Sequence, residues 1–475
     1  MMKFSGLVMG AALFGASLSQ AAELTPDQQA FRALYKELVE TNTTASSGSC
    51  TQAAEQVAAR LKAAGYVDSD LTLFSVPDYP KDGGLVAILQ GSDKKAKPML
   101  LLAHIDVVEA KREDWVRDPF KLVEEDGKFY GRGTVDDKTQ AAIWSDTLIR
   151  FKQEGFKPKR TIKMALTCGE ESGGARFNGA RWLVQNKREL IDAEFALNEG
   201  GWGILDSSGK SEQIDLQAGE KTYRDYRLEV VNPGGHSSRP TKDNAIYHLA
   251  HALVAVEGHP FPIQFIEGNR AFFGGTAKIE AAKGNKEVAA AMEAMVKNPA
   301  DLKSAEFVAS QNPGWNSMLR TTCVATMLDG GHAPNALPQR AGANINCRIF
   351  PGVSGDQVRA DLSAAINDPA VKITMTSADE PSASAPPLTP KITGPAEKLL
   401  AEMWPGVPVV PMLQPGGTDG RYLIVAGIPT YGIDASFLDS SLDHIHGLNE
   451  YQGVESLYKD RDFLYRLVKV YADEK

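Results

Sequence analysis

Cysteine is scarce: Cys50, Cys168, Cys323 and Cys347 are the only four in 475 residues, too few and too scattered for a disulfide-built scaffold or a four-thiolate zinc site. Also missing is any block of lysine and arginine. Fifty-one basic residues against sixty acidic ones give a net charge of −9, so no basic stripe is available for a phosphate backbone and no nucleic-acid partner is expected. No internal repeat is visible, and no run after the N-terminus is apolar for long enough to span a membrane. What remains is ordinary globular composition, 43% apolar and 23% charged, on a chain long enough for at least two domains at about 100–200 residues each.

The N-terminus, "MMKFSGLVMGAALFGASLSQAAELT", has one lysine, a short apolar stretch and small residues Ser19 and Ala21 at A-x-A-like spacing. That is the pattern of a secretory signal cut after Ala21. Thr25-Pro26 then offers a fresh N-cap and first-turn proline. The expected mature protein is exported, secreted or periplasmic, in a compartment that tolerates disulfides. One cysteine pair stands out there. "TTCVATMLDGG" and "RAGANINCRIF" are β-rich and flank a turn around Pro334-Asn335, so antiparallel pairing sets Cys323 opposite Cys347, as a disulfide or as two buried thiols.

From about residue 25 to 217, strand-like runs ("LVAILQG", "PMLLLAHIDVV", "TIKMALTC", "AEFALNEGG") alternate with helical stretches such as "DDKTQAAIWSDTLIRFKQEG" and "GARFNGARWLVQNKREL". This is the α/β pattern. The expected fold is a layered sheet with helices on both faces, plus an inserted α+β domain. Texture changes at about 218, with "YRDYRLEVVN", the helix "NAIYHLAHALVAVEG", a polar helical insertion near 285–310 and the two cysteine-bearing strands. A Pro/Ser-rich stretch near 377–390 closes that unit, after which helix–strand alternation resumes. The expected division is a signal over 1–21, a metal-binding catalytic domain over 22–217 and 391–475, and an inserted lid or dimerisation domain over 218–390.

Chemistry gathers where α/β strands end, which is where such sheets bind ligands. In "AHIDVV", His104 and Asp106 lie two apart on a strand and share a side, so the carboxylate could orient the imidazole; taken alone, a His-x-Asp is more often a purely structural pair. In "YGRGTVDDK", either Asp136 or Asp137 would suit as helix N-cap, leaving the other free to ligate or bridge cations. "LTCGEESGG" sets Glu170 and Glu171 side by side among Gly169, Gly173 and Gly174. Two adjacent carboxylates raise one another's pKa, which is useful if a cation neutralises one and the other shuttles a proton; the alternative is a solvated turn. Glu199 in "FALNEGG" and His444 and His446 in "SLDHIHGLNE" complete a mixed His/carboxylate set suited to zinc-like ions with open positions. His248 and His251, at i and i+3 on a helix, read as face and core residues.

The ordered motifs "AHIDVV", "GRGTVDDK", "TCGEE", "NEGG", "GGHSS" and "HGLNE" resemble the zinc exopeptidase family that includes carboxypeptidase G, aminoacylase, succinyl-diaminopimelate desuccinylase, carnosinase and vacuolar carboxypeptidase S. The likeness covers nearly the whole mature chain. It implies two Zn²⁺ per subunit, with Co²⁺ or Mn²⁺ as substitutes: His104, Asp136 and Glu199 at one, Asp136, Glu171 and His446 at the other. By the same likeness Asp106 orients His104, Glu170 is the general base, and the Asp136–Asp137 peptide is cis. His236 in "NPGGHSSRP" matches the histidine that polarises the scissile carbonyl, in dimeric members from the partner subunit, which leaves open a homodimer through the inserted domain. Asn335, Arg348, Gly417 and Arg421 match substrate-lining positions. The sequence departs from the pattern at Gly169, where an aspartate is usual, at Thr139 and at Asn346.

The function these readings imply is an exported two-zinc, carboxypeptidase-like hydrolase of peptides or N-acyl amino acids, cutting the amide next to a free carboxylate. Glu170 takes a proton from the attacking water and delivers it to the leaving nitrogen. Alternatives are an N-acyl amino acid amidohydrolase/synthase, an aminopeptidase, and a binding protein on a degenerate hydrolase fold. The long insertion near 260–320 suggests the carboxypeptidase S branch, which includes hydrolases of N-acyl amino acids.

Overall fold

The computed structural model describes residues 23–172, 177–377, 382–439 and 444–473; the expected signal segment lies outside them. The helix Pro26–Glu40 starts where Thr25 and Pro26 announce it, with the Thr25 side chain and Gln28 forming a reciprocal cap.

The strand "MLLLAH", Met99–His104, is buried along its whole length. Its residues divide by alternation: Met99, Leu101 and Ala103 join one apolar core, Leu100 and Leu102 another. Continuous apolar sequence is what a strand covered on both faces requires. The first core is closed by residues of helices Pro26–Glu40, Cys50–Ala63, Lys138–Gln153 and Val454–Asp473, the second by residues of Gly179–Asn186 and Gly420–Val425. This strand is central in a ten-stranded mixed sheet. It pairs in parallel with Ile162–Thr167, His104 standing opposite Thr167, and in parallel with Phe195–Asn198. Thr430–Ile433 extends the parallel set beyond Phe195–Asn198. Three strands thus deliver their C-terminal ends to one edge, so His104, the Glu170-Glu171 turn and Glu199 arrive together.

A separate four-stranded antiparallel sheet runs in the order Thr322–Gly330, Arg340–Ile349, Thr222–Val231, Val371–Met375. Helices Ala245–Glu257 and Gly355–Ile366 contribute to its core. In register, Cys323 does face Cys347, and the two form a disulfide. A second disulfide, Cys50–Cys168, joins residues 118 apart; no sequence signal had paired them. The polar helical insertion is four helices, Glu267–Ala282, Lys286–Lys297, Leu302–Gln311 and Pro313–Leu319. Their core includes Val410 and Met412 of the strand Val409–Gln414, so they pack on the large sheet rather than the small one.

Candidate metal centre and active site

His104 ends its strand almost fully buried. Its Nε2 lies 2.9 Å from Asp136 Oδ1 and 3.7 Å from Glu199 Oε1. The other oxygen of Asp136, Oδ2, is 2.9 Å from His446 Nε2, which is itself 3.1 Å from Glu171 Oε2. One carboxylate therefore faces two imidazoles, each with a second carboxylate beside it. The Asp136–Asp137 peptide is cis, as the family resemblance implied. Asp137 is the N-cap by position of helix Lys138–Gln153, yet its side chain makes no capping bond, and its buried Oδ2 has no hydrogen-bond partner.

The Glu170-Glu171 turn is held from two sides. Asp106 accepts both backbone N–H groups, from Glu170 at 3.3 Å and Glu171 at 3.0 Å. The His104 ring is nearer to the Asp106 backbone carbonyl, 3.0 Å from Nδ1, than to its carboxylate at 3.5 Å. Asp106 thus meets the imidazole chiefly through its main chain and the glutamates through its side chain. Opposite, Asp419 accepts from Thr167 Oγ1 at 2.8 Å and from Asn178 Nδ2 at 2.6 Å, and Asn178 also donates to the Gly169 carbonyl. Gly169 has φ +93°, and a Cβ there would lie 2.0 Å from the Phe177 carbonyl oxygen. The aspartate usual at this position cannot fit, and Asp106, Asn178 and Asp419 hold the turn instead.

The electrostatics follow from crowding. Glu170 is raised well above the usual carboxylate range, by burial first and by Glu199 next, with Arg421 opposing; Arg421 Nη1 is 3.7 Å from Glu170 Oε1. Glu171 is pushed up to about 7 by burial and by Asp136. His446 rises to about 10 through its bonds to Asp136 and Glu171. Carboxylates outnumber the imidazoles and guanidinium that face them, and Glu171 Oε1 is buried without a partner. Such a surplus of buried oxygen donors fits divalent cations, which supply the missing positive charge. Ligand atoms of His104, Asp136 and Glu171 lie within 4.8 Å of one another, as do those of His104, Glu170 and Glu199. Cys50, Asp106 and Cys168 cluster as closely, but both sulfurs are spent in the disulfide.

A cavity of about 230 Å³ opens on this group, lined by Asp136, Asp137, Glu170, Glu199, Gly417 and His446 with Trp202, Leu438 and Ile445. Gly417 lies against Arg421: a Cβ there would sit 3.1 Å from Arg421 Nη1. Arg348 stacks over the Tyr223 ring, 4.9 Å from its centroid, and feels the charges of Arg421 and Glu170. His236 and Asn335 do not line the cavity. They sit on a short exposed ladder, where His236 pairs with Ala336, Ser237 N–H donates to the Asn335 carbonyl, and the His236 ring meets Ser238 at 2.8 Å. His444 stacks on Tyr451, and His248 is ion-paired to Asp368 and Asp243. Sequence reasoning missed Glu450, buried under the Asp136 loop, although it ends the quoted motif "HGLNE"; its signal was a carboxylate beside known ligand types.

The chain is similar to known proteins of one family. Residues 100–470 match the model of peptidase family M20/M25/M40. A probable carboxypeptidase S-like 2 of Dictyostelium discoideum is 30% identical over 393 residues, 81% of this chain and 74% of that protein. The N-fatty-acyl-amino acid synthase/hydrolase PM20D1 of Homo sapiens is 29% identical over 390 residues, 80% of this chain and 75% of that protein. Among solved structures, the M20 family metallo-carboxypeptidase Sso-CP2 from Sulfolobus solfataricus superposes with a TM-score of 0.68 at 17% identity, over 94% of this chain and 100% of that one.

Proposed function

We propose, for a chain that belongs to peptidase family M20/M25/M40 and is therefore a hydrolase, that it cuts the amide bond of a peptide or N-acyl amino acid beside a free carboxylate, using two zinc ions. The observation that carries this is Asp136, whose two oxygens each face a histidine at 2.9 Å. His104, Asp136 and Glu199 would hold one ion, Asp136, Glu171 and His446 the other. The sets of close donor atoms overlap at His104; the Asp136-centred division is preferred because one oxygen serves each imidazole. When bound, the ions would acidify a water and polarise the scissile carbonyl.

This chain's own residues supply the rest. Glu170, in a turn fixed by Asp106, takes one proton from the attacking water and returns it to the leaving nitrogen, so that one water is consumed and an acid and an amine are released. Arg421, beside Glu170, presents a planar fork suited to both oxygens of a substrate carboxylate, with Arg348 adding positive charge nearby. Asn335 and Gly417 belong to the same proposed substrate surface. Trp202, Leu438 and Ile445 offer the cavity an apolar side, which favours an N-acyl amino acid over a small polar dipeptide as a second reading.

We assign residues 22–217 and 391–475 to a catalytic domain and 218–390 to an inserted lid domain; the support is that the ten-stranded sheet draws strands from both outer segments. His236, which is not among the residues lining the cavity, is proposed to act on the site of a second copy. Val324, Met327 and Leu328 on the edge strand Thr322–Gly330, and Tyr247 and Val254 on the helix Ala245–Glu257, are exposed apolar side chains of the inserted unit, and an unpaired strand edge of this kind supports that homodimer. Export is supported by the leader-like N-terminus and by two disulfides. Among the described residues no helix is long and apolar enough to cross a membrane. The test is hydrolysis of a panel of N-fatty-acyl amino acids, N-blocked amino acids and dipeptides by metal-stripped protein resupplied with zinc, cobalt or manganese. Metal-restored cleavage of substrates with a free carboxylate is expected. Equal cleavage without metal would overturn the centre.

A further inference from the structure

Arg132 and Glu450 form a 2.6 Å ion pair with side chains 2% and 0% exposed. Burying two charges costs several kcal/mol per ion, and well-packed apolar residues often serve stability as well or better. The pair is not even fully satisfied, since Arg132 Nε has no partner. What apolar residues could not do is bind the backbone of two loops at once. Glu450 Oε1 accepts from Val135 N–H at 2.7 Å and Asp136 N–H at 3.1 Å, and Oε2 accepts from Gly133 N–H at 3.1 Å. Arg132 Nη2 donates to the carbonyls of His446 at 3.3 Å and Gly447 at 2.9 Å. His446 has φ +58°, a conformation that a non-glycine residue keeps only where its surroundings hold it. One side of the pair therefore fixes the loop ending in Asp136 and the other the loop carrying His446.

We infer that Arg132 and Glu450 are positioning residues that set the separation of Asp136 and His446, and with it the affinity of the metal position those two share with Glu171. Neither lines the cavity, so they act through the ligands and not on substrate. The inference rests on the metal-centre reading above. Partners of this kind, one step behind the ligands, typically change metal affinity 10–100-fold when replaced. The other position shares Asp136 but takes His104 and Glu199 from strand ends and nothing from the His446 loop, so its affinity should move less.

The test is zinc titration of metal-stripped full-length protein by calorimetry, with elemental analysis after desalting, for the unmodified chain, Glu450→Gln, Arg132→Lys, His446→Ala and Glu199→Gln. Glu450→Gln and Arg132→Lys should each weaken one of two binding events by roughly 10–100-fold and the other, which shares only Asp136 with it, by less. Glu450→Gln should add little to His446→Ala but should add its full effect to Glu199→Gln. Two ions bound with unchanged affinity in both variants, whatever their melting temperatures, would overturn the inference. If Glu450→Gln does not fold, Arg132→Lys decides on the same criterion. An unmodified chain with no binding event that His446→Ala removes would bring down the metal centre itself, a separate result that takes this inference with it.

Discussion

Removing the Asp106 carboxylate tests how the Glu170-Glu171 turn is held. Asp106 is buried, 5% exposed, and accepts two backbone amides. A buried donor left unsatisfied costs about 1–3 kcal/mol. Asp106→Ala orphans both amides, roughly 2–6 kcal/mol, whereas Asp106→Asn keeps one acceptor oxygen and costs about 1–3 kcal/mol. Hydrogen exchange on the metal-free protein reads this locally: at about 1.4 kcal/mol per tenfold, the amides of Glu170 and Glu171 should exchange roughly 5–150-fold faster once their acceptor is gone, provided that they exchange by local opening. His104 should stay in place, because its nearer partner is the Asp106 main-chain carbonyl, which no side-chain substitution removes. Activity should fall with the alanine variant more than with the asparagine. If exchange at both glutamates is unchanged in Asp106→Ala while activity collapses, the carboxylate works through the imidazole and the present account of the turn is wrong.

Glu170→Gln should retain both metals and lose about 10²–10⁴ in kcat, while Glu171→Gln should empty one metal position, so elemental analysis separates the neighbours. Arg421→Lys should raise KM for substrates with a free carboxylate and narrow the preference for acid over C-terminal amide; comparable kcat/KM for acid and amide in the unmodified enzyme would refute a carboxylate site. Replacing Cys50 and Cys168 together with serine should cost more than replacing Cys323 and Cys347, because loops of 118 and 24 residues correspond to about 4.9 and about 3.4 kcal/mol of closure entropy at 25 °C; thermal inactivation in the opposite order would contradict this. Mixing a His236→Ala chain with a Glu170→Ala chain should restore activity if the histidine serves a second copy, and proven heterodimers without recovery would exclude that.

Much of the candidate centre was legible because its chemistry is local to strand ends. An apolar run such as "MLLLAH" announces a strand covered on both faces, and parallel pairing then carries its last residue to the same edge as its neighbours' last residues. His104, Glu170, Glu171 and Glu199 needed no long-range information to be suspected. Cys323 and Cys347 were legible for a related reason, since antiparallel register about one turn follows from symmetry. Cys50 and Cys168 were not: the first opens a helix, the second ends a strand, and only the packing of one on the other brings the sulfurs together. The four helices from Glu267 to Leu319 likewise carry no mark in their own periodicity of which sheet they cover; the choice is made by Val410 and Met412, and Val410 comes 91 residues after the last of these helices ends (410 − 319).

Residues that hold other residues are the hardest to read, and the departure at Gly169 shows why. Taken alone, a glycine where an aspartate is usual weakens the case for a positioned base, because it removes a carboxylate. In the fold it is a steric requirement: with φ +93° and the Phe177 carbonyl in the way, the chain can turn there only without a Cβ. The positioning work moves to Asp106, Asn178 and Asp419, which approach from three separate segments. A motif states which atoms must meet the substrate, and those can be matched position by position. Which atoms keep them there is set by whatever backbone happens to pass close by, so the same base can be held by different partners in different chains. Loss of a familiar partner is therefore weak grounds for calling such a site inactive until the surrounding hydrogen bonds have been traced.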